Sequence, residues 1–114
     1  MAIDTTLPEV ARAALEAGAT IVNDVSCLAD PELARVTAAA GAWFVLMHAR
    51  PGAVSTFRDV VFEVSREWSA ARDRAVAEGL PPERIVMDPG LGFGKGADEN
   101  LAVLAGLSRF HGLG

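Results

Sequence analysis

Four times in 114 residues, a short apolar run gives way to a longer stretch in which apolar residues recur every three or four positions. The short runs have the length of strands and the longer ones the period of helices. Repeated alternation of this kind predicts parallel βα units, because each helix carries the chain back to start the next strand in the same direction. The apolar runs are Ala2–Asp4, Ala19–Val25, Ala42–Met47 and Ile85–Met87. They are almost continuously apolar, as strands are when both faces of a sheet are covered. The fold class is therefore α/β, with about four parallel βα units.

Helix signals fall between these runs. Thr6 and Glu9 have the spacing of a capping box with Pro8 in the first turn, and Leu7, Val10, Ala14 and Ala17 share a face that ends at Gly18. Asp30-Pro31 opens a second helix carrying Leu33, Val36 and Ala40, with Gly41 as its stop. The clearest stripe steps through Phe57, Val61, Val64, Trp68, Ala71 and Ala75 to Gly79, and Pro81-Pro82 breaks it. Asp98 caps a last helix with Leu101, Leu104 and Ala105. Trp43 and Trp68, both at apolar positions, are expected in the core. Four such units make either a small open sheet or half of an eight-unit barrel, which needs about 250 residues when complete. No repeat, low-complexity stretch or internal boundary divides residues 1–114, so they read as one domain.

Composition narrows the partners. A formal charge of −5 with only 10 Lys plus Arg excludes the basic footprint of a nucleic-acid binder. No apolar run is long enough to span a bilayer, and the N-terminus lacks the pattern of a signal peptide. The single cysteine, Cys27, forms no internal disulfide, which fits a reducing compartment and a cytoplasmic protein; it is expected to be a buried, inert thiol.

Each strand run ends in a polar or polarisable group: Asp4, Asn23-Asp24, Met47-His48 and Asp88. In a parallel sheet these ends meet at one rim, where α/β folds place their sites. Two carboxylates and a carboxamide with few cations nearby suit a ligand rich in N–H donors, such as an aminopyrimidinone edge. Asp24 can instead order the strand end, and His48 is expected to hydrogen-bond structurally rather than react. No His or Cys spacing of a metal site is present. The loop from Asp88 to Gly96 fails the phosphate-loop spacing, since three residues rather than four separate Gly90 from the Gly94-Lys95 pair. Its dinucleotide match, Gly92, Gly94 and Ala97, leaves too little chain for an acidic partner. Phe93, set among glycines, could cap a flat ligand, and Lys95 could meet an anion or stay solvated.

Ile3-Asp4-Thr5 followed by Pro8-Glu9-Val10, then Ile21-Val22-Asn23-Asp24, Leu46-Met47-His48 and Asp88-Pro-Gly-Leu-Gly-Phe-Gly-Lys95 together resemble dihydropteroate synthase, in that family's order and spacing. The resemblance implies half of a (β/α)8 TIM barrel, corresponding to units three to six. It also implies condensation of 6-hydroxymethyl-7,8-dihydropterin diphosphate with p-aminobenzoate to dihydropteroate, on the folate pathway. On this resemblance Asp4, Asn23 and Asp88 bind the pterin, Met47 lies against its ring, and Gly92 and Phe93 border the p-aminobenzoate side. A homo-oligomer is implied as well.

Several parts of the family pattern have no counterpart in these 114 residues. They are the Mg2+-holding Asn of the first strand, the second-unit Arg-Pro pair, the seventh-strand Ser-Arg-Lys and the eighth-strand Arg-x-His that grips diphosphate. Mg2+ is thus implied by the family without a ligand here, and the chain is expected to be an incomplete enzyme, inactive alone. After His48 the run Ala-Arg-Pro-Gly also departs from the family's usual loop. Two other readings remain open: a non-catalytic pterin-binding half-barrel that assembles with another, and a methyltetrahydrofolate-binding methyltransferase.

Overall fold

The computed structural model describes residues 1–49 and 60–90. Four strands, β1 (Ala2–Asp4), β2 (Ile21–Asp24), β3 (Trp43–Met47) and β4 (Ile85–Asp88), alternate with α1 (Pro8–Glu16), α2 (Glu32–Ala39) and α3 (Val60–Ala77). A single 3-10 turn, Pro82–Arg84, leads into β4 where Pro81-Pro82 prevents α3 from continuing. The expected last helix and most of the glycine loop lie outside the described residues.

The strands pair in parallel in the order β1-β2-β3-β4. Sequential order means that every crossover has the same sense, so all the helices pack on one face of the sheet. A doubly wound open sheet would instead reverse its order at a switch point. The arrangement is half of a (β/α)8 barrel, and its other face would be the barrel interior.

Strand alternation assigns the two faces. Ile3, Val22, Phe44, Leu46, Ile85 and Met87 point towards the helices and join a core with Ala11, Leu33, Val36, Trp68, Ala71, Ala75 and Leu80. The α3 stripe read from the sequence is confirmed from Val61 to Ala75; Phe57 lies outside the described residues. Trp68 is fully buried and donates its Nε1–H to the Leu46 carbonyl at 2.6 Å, so its one polar atom is satisfied inside the core.

Three local expectations fail. The Thr6 capping box does not form: α1 has no side-chain cap at Leu7, and Thr5 Oγ1 accepts the Leu7 N–H instead, closing a turn one residue earlier. The buried face of α1 is Pro8 and Ala11, whereas Leu7 and Val10 are exposed. Pro8 and Ala11 are the residues that turn inward, and α1 packs chiefly against α2. Trp43 is 43% exposed, because its position in β3 puts it on the face that no described helix covers, the bare face, where the Arg84 guanidinium lies 5.7 Å from its ring centroid. Arg84 also donates to the Gly41 carbonyl.

Candidate functional site

β-strand register decides which polar ends meet. Asp4 pairs with Asn23, Asn23 with Val45, and Val45 with Val86; Met47 pairs with Asp88. By parity Asp4, Asn23, Met47 and Asp88 all lie on the bare face, with adjacent strands about 4.8 Å apart. The Met47–Asp88 pair sits two residues further along than the Asp4–Asn23 pair. An eight-stranded barrel of shear 8 shifts register by about one residue per strand, so an offset of this size is the one expected of groups that share a layer.

The adjacent residues in the motifs go the other way. Asp24 and His48 are fully buried on the helix side, so the sequence expectation of four polar ends converging holds for only half of each pair. Asp24 Oδ1 accepts the Ser26 N–H at 3.0 Å and the Ser26 hydroxyl at 2.6 Å, and Oδ2 accepts the Leu28 N–H at 2.7 Å. Its role is to hold the turn after β2, in which Cys27 and Leu28 both have positive φ. The His48 ring makes a 2.7 Å hydrogen bond from Nε2 to Glu67 Oε1, and its backbone N–H donates to the Asp88 carbonyl at 2.8 Å.

On the bare face, Asp88 Oδ1 accepts the Gly90 N–H at 2.9 Å, which orients the carboxylate at the strand end; Gly90 has φ +75°. Asn23 Oδ1 is buried and accepts no hydrogen bond in the structure. A buried acceptor left unpaired is costly in a finished protein, so this oxygen is free for an N–H of a ligand. Two carboxylates and a carboxamide with an unpaired acceptor, with the buried Met47 thioether between their strands, suit a flat, donor-rich molecule. Gly92, Phe93 and Lys95 lie outside the described residues.

The same arrangement has a counterpart among known proteins. The family model described as pterin binding enzyme matches residues 1–114 in full. The chain belongs to the pterin-binding enzyme family. Within it, the chain is 49% identical to the dihydropteroate synthase of Mycobacterium leprae over 94% of its own length and 40% of the relative's. It is 40% identical to that of Synechocystis over its whole length and 42% of the relative's. Among solved structures it superposes with TM-score 0.89 and 42% identity on the Thermus thermophilus dihydropteroate synthase in complex with 6HMPPP, covering 99% of this chain and 44% of that one. Against the Xanthomonas albilineans synthase with 4-aminobenzoic acid the TM-score is 0.88 at 41% identity, covering 95% and 39%. The pterin-binding family segment described here thus spans about two fifths of the length of the relatives it matches.

Cys27 is half-buried rather than fully enclosed. Burial pushes its thiol above the ordinary value, against the Ala49 backbone and the Arg74 guanidinium, which pull it down. Among the described residues no group of three or more His, Cys, Asp or Glu side chains could hold a metal ion, and no helix is long and apolar enough to cross a membrane. The residue that sequence reasoning missed is Glu67. Its signal was available: Glu67 is three residues after Val64 and four before Ala71, a carboxylate beside an apolar stripe.

Proposed function

We propose that this chain supplies the pterin-holding half of a dihydropteroate synthase site. In the complete enzyme 6-hydroxymethyl-7,8-dihydropterin diphosphate condenses with p-aminobenzoate, giving dihydropteroate and releasing diphosphate. Asp4, Asn23 and Asp88 engage the donor-rich edge of the pterin, Met47 packs on its ring, and Gly92 and Phe93 border p-aminobenzoate. The observation that supports this best is the shared bare face, with the Asn23 acceptor unpaired upon it. The described carboxylates form no group of three or more that could hold Mg2+. Within the same reading the protein is cytoplasmic and homo-oligomeric, the latter to be read by light scattering.

The reading predicts that the chain binds 6-hydroxymethylpterin, measured by calorimetry or by quenching of pterin fluorescence, and that Asp88→Asn abolishes binding. Binding without release of diphosphate from the pterin diphosphate is the expected behaviour of this segment alone, because the residues for the leaving group lie elsewhere in the family pattern. No pterin binding at millimolar concentration overturns the reading. Tighter binding of methyltetrahydrofolate than of 6-hydroxymethylpterin would favour the methyltransferase alternative.

A further inference from the structure

His48 joins three elements at the rim. Its ring is 99% enclosed on the helix side and bonded to Glu67 of α3 at 2.7 Å. Its backbone N–H is bonded to the carbonyl of Asp88, the last residue of β4, at 2.8 Å. One position earlier, Met47 points to the bare face and is the register partner of Asp88. One position earlier again, the Leu46 carbonyl accepts the Trp68 indole N–H at 2.6 Å. Consecutive residues of α3, Glu67 and Trp68, therefore grip the residues on both sides of Met47.

We infer that Glu67, acting through His48, is a positioning residue that sets the rim ends of β3 and β4 and with them the side chains of Met47 and Asp88. The inference rests on the pterin-site reading for its ligand, though not for its geometry. The last residues of a strand have few ladder bonds and depend on their neighbours for direction. Among the described contacts these neighbours include a charge-assisted bond on the helix side and a ladder bond into β4, and charge-assisted bonds are the stronger class. Met47 itself is 2% exposed, so its rotamer is fixed by the backbone that carries it and by the packing around it. Loosening the His48 ring frees the shared backbone at Asp88 in the same movement. On the pterin-site reading Glu67 lies across the sheet from the ligand and acts only through His48.

The experiment uses the full chain with 13C-methyl methionine, 6-hydroxymethylpterin as probe, and the variants Glu67→Ala, Glu67→Gln, Trp68→Phe and Gly18→Ala. Three methionines give three methyl signals, and the Met47 signal is assigned by Met47→Leu. Glu67→Ala is expected to shift or broaden the Met47 signal in the ligand-free chain and to weaken pterin binding about tenfold, as loss of one hydrogen bond to a charged group would. Glu67→Gln restores both, since an amide can serve either tautomer of the imidazole. Trp68→Phe perturbs the Met47 signal in the same direction. Gly18→Ala, at the far end of α1, controls for general destabilisation and leaves the signal and the affinity unchanged. An unmoved Met47 signal in Glu67→Ala overturns the inference, as does a loss that Gln does not rescue or that Gly18→Ala reproduces. If the wild-type chain binds no pterin, the functional reading fails while the methyl signals still decide the positioning role.

Discussion

Asp24 Oδ2 accepts the backbone N–H of Leu28 at 2.7 Å, four residues ahead, while its other oxygen takes both donors of Ser26. One buried carboxylate thus closes the whole turn after β2 and anchors Leu28, itself 1% exposed, in the core at φ +58°. A leucine in the left-handed region is costly and persists only where its surroundings hold it there. Asp24→Ala is expected to lower stability by about 3 kcal/mol, because it strands a buried N–H and releases the strained turn together. Urea unfolding measures this; a change below about 1 kcal/mol would remove Asp24 from that role.

Asn23, one residue away, should behave in the opposite manner. Its Oδ1 is unpaired, so Asn23→Ala removes a buried acceptor without breaking a bond. Stability is expected to change by less than about 1 kcal/mol, while pterin affinity falls at least about tenfold. Paired unfolding and binding measurements separate the two effects. Equal losses in both would mean that the amide is part of the scaffold.

The raised pKa of Cys27, caused chiefly by burial, carries a pH signature. Between the ordinary and the raised value the native thiol keeps its proton while the unfolded chain releases one. This contribution to stability is therefore fully present below the ordinary thiol pKa of about 8.5 and is lost as pH rises through the folded value. Urea midpoints should fall across that alkaline window more steeply in the wild type than in Cys27→Ala. Iodoacetamide should also alkylate the native thiol more slowly than the unfolded one at neutral pH, since the thiolate is the reactive form. An equal rate in the two states argues against the shift.

Two helix-ending glycines make a graded test of backbone strain. Gly41 has φ +65°, which alanine reaches at a cost of about 1 kcal/mol, whereas Gly18 has φ +113°, where a side chain is more strained and the cost is about 2 kcal/mol. No atom within 4 Å would meet a Cβ at either position, so the difference is purely conformational. Thermal unfolding of Gly18→Ala and Gly41→Ala should reproduce that order. The reverse order would show that local contacts, not φ, set the cost.

Periodicity made the elements legible. The strands β1 to β4, the α3 stripe and the glycine stops at Gly18, Gly41 and Gly79 follow from apolar spacing, because a helix or a strand must bury one face wherever it packs. The family motifs likewise marked Asp4, Asn23, Met47 and Asp88 as residues of interest from the sequence alone. The βα alternation and the polar ends of the strands were therefore readable without coordinates.

Which of those ends face together depends on how the strands pair. Asn23 and Asp24, like Met47 and His48, are neighbours in sequence yet lie on opposite faces of the sheet, and register alone settles which of each pair shares a layer with Asp88. Trp43 and Trp68 are both apolar in sequence, yet Trp43 lines the bare face because of its parity in β3, while Trp68 is core on the buried stripe of α3. The His48–Glu67 bond joins residues 19 apart across a strand and a helix, and no local pattern encodes it. Spacing fixes which residues share a face of one element, whereas contacts between elements depend on strand pairing and helix docking, which a single sequence specifies only through the energy of the whole fold.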